Sequence, residues 1–304
     1  GLEDGGGGAV PVLRIERALA AISNARTMGK TYEWYRGADP QLRRQLSMMG
    51  DLRMAMEQGR LSLAYQAKMS IMSGRISDAE GLIRWRDADG NMVSPDEFIP
   101  LAEATGVIRE VTNFALRSAA GDLASWAMQG LAIRVAVNIS AHDLAAPDFA
   151  ATVLGVLSEF GVPRSQLTLE VTESALIRSP AEAIATLKSL REAGIRLSVD
   201  DYGTGQSTLS YLKHLPVHEL KIDKSFVTAL ATSDSDTIMV RSTIDLAHDL
   251  GLQVVAEGIE DRPTLDLLRQ LGCDYAQGYL ISKPLDSRDF FALATESRDS
   301  RHVA

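Results

Sequence analysis

The sequence predicts an α/β fold, a TIM-like (β/α)8 barrel with an antiparallel first strand, and three observations predict it. Short runs rich in Val, Ile and Leu alternate with segments of helical periodicity, the pattern left by parallel strands and their crossover helices. Eight such runs occur in a chain of 304 residues, long enough for one large domain closed in this way. The first two runs are joined through M-S-I-M-S-G-R-I-S, from Met69 to Ser77, which is too short for a parallel crossover. An antiparallel hairpin is therefore expected there.

Taken in order, Gly5 to Gly8 read as a flexible linker, because no strand precedes them to give a glycine run a phosphate-binding role. Val12 to Met28 has a helical pattern. From Leu42 through Leu46, Met49, Leu52 and Met56 the apolar residues recur three or four apart, marking an amphipathic helix that packs on the main domain or connects it to something upstream. The eight strands are expected at Leu61 to Gln66, Ala79 to Trp85, Ile133 to Ile139, Leu167 to Val171, Ile195 to Asp200, Glu219 to Ile222, Gln253 to Ala256 and Tyr275 to Leu280. Helices are expected at Pro95 to Ala104, Val111 to Met128, Phe149 to Phe160, Ala181 to Ala193, Asp236 to Leu250, Pro263 to Leu271 and Arg288 to Ala294. The domain reading is a linker or remnant of an upstream domain over 1–40, a barrel over 41–298 and a tail over 299–304.

Composition narrows the class. Apolar residues make up 45% of the chain, enough for a full core, and the net charge of −9 argues against binding nucleic-acid polymers. The single cysteine, Cys273, excludes an intrachain disulfide and a thiolate zinc cluster, and reads as a core thiol. No apolar run reaches membrane-spanning length and no signal-peptide layout opens the chain, so a cytoplasmic domain is expected, within a full-length protein that could still be membrane-anchored.

The strand ends carry the chemistry. Gln66 closes the first strand. Glu80 lies in the second, with Arg84 on the same face, and Asn138 is near the end of the third. Glu170 closes the fourth, Asp200 and Asp201 the fifth, Lys221 and Asp223 the sixth and Glu257 the seventh, while Gln277 lies in the eighth. In a β/α barrel these positions converge on one rim, where the chemistry of such folds is found. Each acid alone reads more simply as a turn or salt-bridge residue, but coincidence at seven strands is a poor explanation. Carboxylates and the amide of Asn138 are hard oxygen donors suited to Mg²⁺ or Mn²⁺, and none of the five histidines ends a core strand, which disfavours zinc. Acids gathered this closely need cations among them. Paired aspartates suit two ions, the arrangement that clamps both oxygens in phosphoester cleavage.

The ordered motifs Y-Q at Tyr65, E-G-L-I-R-W at Glu80, P-D-E-F-I-P at Pro95, V-N-I-S at Val137, E-V-T-E at Glu170, D-D-Y-G-T-G at Asp200, K-I-D at Lys221, A-E-G-I-E at Ala256 and Q-G-Y at Gln277 resemble those of the EAL-domain phosphodiesterases of bacterial cyclic di-GMP signalling. The resemblance runs from about Leu52 to Leu293. It implies metal-dependent hydrolysis of cyclic di-GMP to linear pGpG by in-line attack of a metal-activated water. Glu80, Asn138, Glu170 and Asp200 match the ligands of a first metal and Asp201 a ligand of a second. Lys221 and Glu257 match the residues that handle the attacking water. Gln66, Arg84 and Gln277 match contacts either to substrate or to the residues behind the metal ligands, Glu173 matches the residue that tethers the loop after strand five, and Asp223 is either a further water or metal contact or a cap of the strand end.

Several positions depart from the family pattern. The namesake alanine is Gly81, expected to loosen the strand slightly, and Ala67 replaces a common proline. In the loop after strand five, Tyr202, Gln206 and Thr208 replace phenylalanine, tyrosine and serine, changes that bear on the strength or regulation of activity. By resemblance the helix near Ser207 to His214 offers a homodimer surface, and an upstream GGDEF or sensor domain is a possible partner, with Ile15 to Tyr35 weakly resembling a GGDEF tail. Two rival readings fit less well. A catalytically weak cyclic di-GMP receptor would usually lack a metal ligand, and none is missing; an enolase-type enzyme using Lys221 as base would not call for Asn138 or paired aspartates.

Overall fold

The computed structural model describes residues 40–178, 180–203, 212–230 and 233–299. The expectations placed on Gly5 to Gly8, Val12 to Met28, Ile15 to Tyr35, Gln206, Thr208 and Ser207 to Tyr211 fall outside them. The strands are β1 (Leu61–Ser70), β2 (Ile76–Arg86), β3 (Met92–Val93), β4 (Arg134–Ile139), β5 (Leu167–Thr172), β6 (Arg196–Tyr202), β7 (Glu219–Ile222), β8 (Gln253–Ala256) and β9 (Tyr275–Gln277). Among the described residues two compact units are distinguished, 40–61 with Trp85–Thr105, and Ser62–Arg84 with the described part of 106–299.

The smaller unit contains the helix Pro40–Glu57, where the sequence places its amphipathic helix, and the helix Pro95–Thr105. Leu52 and Ala55 are buried, and the rings of Trp85 and Phe98 stand perpendicular with centroids 5.3 Å apart. β3 is too short to show a period in sequence; it pairs antiparallel with the end of β2.

The larger unit holds the barrel. β2, β4, β5, β6, β7, β8 and β9 pair in parallel in that order. β1 runs antiparallel to β9 and also pairs with β2, which closes the cylinder. The expected hairpin between the first two strands is present, with Ser70 N donating to Arg75 O at 2.9 Å.

Strand parity sorts the residues into two sets. Val135, Val137, Ile139, Leu167, Leu169, Val171, Leu197, Val199, Leu220 and Ile222 join helix residues such as Leu123, Leu157, Leu187 and Ile244 in one apolar core. Residues of the other parity, Glu170, Ser198, Asp200, Glu219 and Lys221, are buried and charged or polar. Such barrel interiors are usually filled by branched apolar residues, so a polar filling points to a purpose besides stability.

Several strand ends differ from expectation: β2 begins at Ile76 and β6 runs on to Tyr202, and the ends of the first and last strands have a physical reason. β1 does not stop at Gln66 but continues to Ser70, because Lys68, which in sequence looks like a solvated terminus, is fully buried among acids. The last strand stops at Gln277 and not at Leu280. At Gly278 the backbone of Ile259 crosses so closely that a Cβ would lie 2.2 Å from its carbonyl oxygen, and Ile259 N donates to Gln277 O at 3.1 Å. Gly81 leaves β2 uninterrupted; a Cβ there would meet Ala136 O at 3.3 Å, so the glycine sits where two paired strands are already close. Cys273 is buried as expected, and burial pushes its thiol up to about 12.

Candidate active site

The strand registers gather the side chains that the sequence singles out. Asn138 pairs with Glu170 across β4 and β5, and Thr172 pairs with Asp200 across β5 and β6, so successive acids sit at nearly one level. Consecutive residues of a regular strand point to opposite sides, and Asp200 and Asp201 would then diverge. A register shift between Val199 and Tyr202 changes this, with Asp201 at φ 55°, in the left-handed region that aspartate tolerates better than most side chains. Asp200, Asp201 and Glu257 consequently offer ligand atoms within 4.8 Å of one another, and so do Glu80, Glu170 and Asp200. Asp200 belongs to both groups. No histidine or cysteine joins either among the described residues.

Lys221 stands at the centre. Its Nζ donates to Glu80 Oε2 at 3.2 Å, Glu170 Oε2 at 2.9 Å and Asp200 Oδ2 at 2.9 Å, and lies 2.7 Å from Glu257 Oε1. Burial opposes its charge, yet these carboxylates raise its pKa well above the ordinary lysine value. Glu80 is held in place on both oxygens: Asn138 Nδ2 donates to Oε1 at 2.8 Å, and Gln277 Nε2 to Oε2 at 2.7 Å. Burial disfavours its charge, but Lys221, Lys68 and these amides bring its pKa down to about 2. Glu257 differs, since burial pushes it up to about 8 in spite of Lys221, with Asp200 and Glu80 adding to the rise.

The remaining candidates are less tightly engaged. Gln66 donates to Ser282 O at 3.2 Å and accepts from Gln277 Nε2 at 3.2 Å, which ties β1 to β9 at the mouth. Arg84 is half-buried and donates to Ile83 O at 2.9 Å, leaving most of its planar fork outside the carboxylate cluster. Glu173, buried at the start of the helix Glu173–Arg178, accepts from Gly203 N at 3.1 Å, a direct tie to the segment after β6. Asp223 caps the helix Lys224–Val227 by accepting from Ser225 N at 3.0 Å. Its charge also helps to raise the pKa of Asp201, after burial and Asp200.

Three members of the buried polar interior escape a reading of the sequence. Lys68 donates to Glu170 Oε1 at 2.6 Å and to Glu219 Oε1 at 3.1 Å, and Ser198 Oγ donates to Glu219 Oε1 at 3.1 Å. Period two is the available signal: Lys68 follows Gln66, Ser198 precedes Asp200 and Glu219 precedes Lys221, each by two residues. Arg134 and Asp78 pair farther down, with Nη2 to Oδ2 at 2.8 Å.

Against this geometry, a profile of the EAL domain matches residues 49–284. The chain belongs to the EAL-domain family. This EAL domain is 37% identical over 270 residues to cyclic di-GMP phosphodiesterase PA2567 of Pseudomonas aeruginosa, a match covering 88% of this chain and 46% of that protein. It is 40% identical over 242 residues to cyclic di-GMP phosphodiesterase NbdA of the same organism, covering 79% of this chain and 31% of the other. The EAL domain thus spans less than half the length of these curated relatives. Among solved structures, the PaMucR phosphodiesterase in its c-di-GMP complex superimposes with a TM-score of 0.77 at 36% identity, covering 80% of this chain and 99% of that one. The EAL domain of DcpA from Mycobacterium smegmatis does so with a TM-score of 0.67 at 34% identity, covering 79% and 97%. Among the described residues of this EAL domain, no helix is long and apolar enough to cross a membrane.

Proposed function

We propose that this chain is a divalent-metal-dependent phosphodiesterase that hydrolyses cyclic di-GMP to linear pGpG. The carrying observation is the pair of carboxylate groups that share Asp200 at the barrel mouth, in a domain whose relatives are named cyclic di-GMP phosphodiesterases. Oxygen-only donors at this spacing fit hard divalent cations. On this reading Glu80, Asn138, Glu170 and Asp200 hold one Mg²⁺ or Mn²⁺ ion, and Asp201 with Asp200 serves a second. When bound, the ions supply a water of lowered pKa and positive charge for the phosphoryl oxygens.

The chain's own groups do the rest. Glu257 takes the proton of the attacking water: its carboxylate is half-buried beside Asp200 and Asp201, and Lys221 fixes its position from 2.7 Å. An ammonium shared by four carboxylates keeps its protons, so Lys221 acts as a donor that orients water and phosphate. Arg84 offers its free donors to a phosphate oxygen, and Gln66 and Gln277 border the same opening. Glu173 holds the backbone after β6, and with it Asp201, in register.

Incubating the purified protein with cyclic di-GMP and Mn²⁺, with and without chelator, tests the reading. pGpG should accumulate only with metal. Tight nucleotide binding with no turnover would overturn it in favour of a receptor. The reading also includes a cytoplasmic site of action, a homodimer through the segment after β6 and an upstream GGDEF or sensor domain. Molar mass in solution checks the dimer, and the sequence and cellular fraction of the full-length protein check the others.

A further inference from the structure

Beneath the carboxylate mouth lies a second buried cation that the proposed reaction does not use. Lys68 is only 1% exposed, and its Nζ bridges Glu170 Oε1 at 2.6 Å and Glu219 Oε1 at 3.1 Å. Glu170 is fully buried and has two faces. Its Oε1 is taken by Lys68 and its Oε2 by Lys221, the same ammonium that gathers Glu80 Oε2 and Asp200 Oδ2. The oxygen that Glu170 shares through Lys221 with Glu80 and Asp200 is thus separate from the one Lys68 holds.

We propose that Lys68 is a positioning residue for the metal site, pinning Glu170 through Oε1 so that Oε2 is presented beside Glu80 and Asp200. The inference rests on the reading of Glu170 as a cation ligand. A carboxylate free to rotate in a buried site could turn either oxygen, or neither, toward an ion. Lys68 removes that freedom from the layer below, and it is itself fixed: Glu219 on β7 accepts from Lys68, which reaches it across the barrel from β1, and from Ser198 Oγ on the adjacent strand β6. A purely structural role explains less. Buried ion pairs are seldom more stabilising than apolar residues of the same volume, so stability alone gives little reason to place lysine in a barrel interior. Groups that orient metal ligands in this way commonly change metal affinity about 10–100-fold when removed.

The test measures Mn²⁺ binding to the folded, nucleotide-free protein by titration calorimetry, with circular dichroism reporting the fold. Lys68→Met should weaken Mn²⁺ affinity about tenfold or more. Glu219→Gln disturbs the same buried layer but leaves Lys68 on Glu170, and should keep the affinity within about threefold. If Lys68→Met does not fold, the charge-balanced Lys68→Met/Glu219→Gln pair replaces it under the same criterion. Wild-type affinity in the Lys68 variant would overturn the proposal, and so would an equal loss in Glu219→Gln. Failure of both Lys68 variants to fold would make the residue structural and end the proposal as well. Glu170→Gln is measured alongside: unchanged affinity there sinks the ligand reading itself, whereas a loss there with none in Lys68→Met sinks only the inference about Lys68.

Discussion

Replacing Lys221 by methionine removes an ammonium that touches four carboxylates at once. At separations of 2.7–3.2 Å the pairs with Glu80, Glu170, Asp200 and Glu257 are all close contacts. With an effective dielectric near 20, each is worth ~5–6 kcal/mol of Coulomb energy before desolvation is subtracted. Removing one partner from a buried ion cluster leaves a net cost of ~3–5 kcal/mol. In a domain of this size that corresponds to a fall in melting temperature of ~6–20 °C. The loss should depend on metal. With chelator present, the acids of the variant face one another with only Lys68, held on Glu170, left to offset them; with saturating Mn²⁺, the ion neutralises the same oxygens and stabilises the folded state by mass action. Thermal unfolding of both proteins in EDTA and in Mn²⁺ should therefore show the gap shrinking by more than half when metal is added. A gap of equal size in the two buffers would refute the reasoning, since the lysine and the ion would then not be serving the same carboxylates.

Three further outcomes are expected. Glu257→Gln should lower kcat by about 10²–10⁴-fold with little change in KM, because it removes a proton acceptor and keeps the shape; steady-state kinetics with cyclic di-GMP checks it. Arg84→Ala should raise KM by about 10–100-fold through loss of a charge-assisted phosphate contact, with Mn²⁺ affinity unchanged by calorimetry. His218 accepts from Leu197 N through Nδ1 at 3.1 Å, and burial, with Arg191 and Arg196, holds its pKa below the ordinary 6.5. The unfolded chain therefore binds this proton at higher pH than the folded one. The group costs nothing above about pH 6.5 and destabilises increasingly as pH falls below it. Denaturant unfolding should show a flatter slope of stability against pH between 6.5 and 5 in His218→Gln than in the wild type; identical slopes would rule out His218 as the cause.

The barrel is readable because its outward parity is written in Val, Ile and Leu and its mouth in acids, two patterns that share a period of two. The antiparallel first strand follows from the shortness of the connection Met69 to Ser77. What escapes the sequence has physical reasons. Lys68 in isolation is a charge that should be solvated; only the assembled barrel brings Glu170 from β5 and Glu219 from β7 to its ammonium. The helices Ala141–Leu144 and Lys224–Val227 are each a single turn, too short to show helical periodicity, and their capping residues Ser140 and Asp223 read equally well as turn residues. The early stop of β9 depends on Ile259, a residue nearly twenty positions upstream, passing over Gly278. Residue type offers the amide oxygen of Asn138 as a donor of the kind hard cations take, and the structure shows the other half of the amide, the Nδ2 group, donating to Glu80.

The left-handed backbone at Asp201 also dictates how that residue should be probed. One peptide plane joins two neighbouring acids, so main-chain torsion at Asp201 brings both carboxylates to the same side of the strand. Alanine at 201 would delete the charge and also favour a relaxed, ordinary strand that carries Tyr202 and Gly203 with it, blending two effects. Asparagine accepts the same torsion readily and changes only the charge, which makes it the cleaner replacement for separating electrostatics from geometry at this corner.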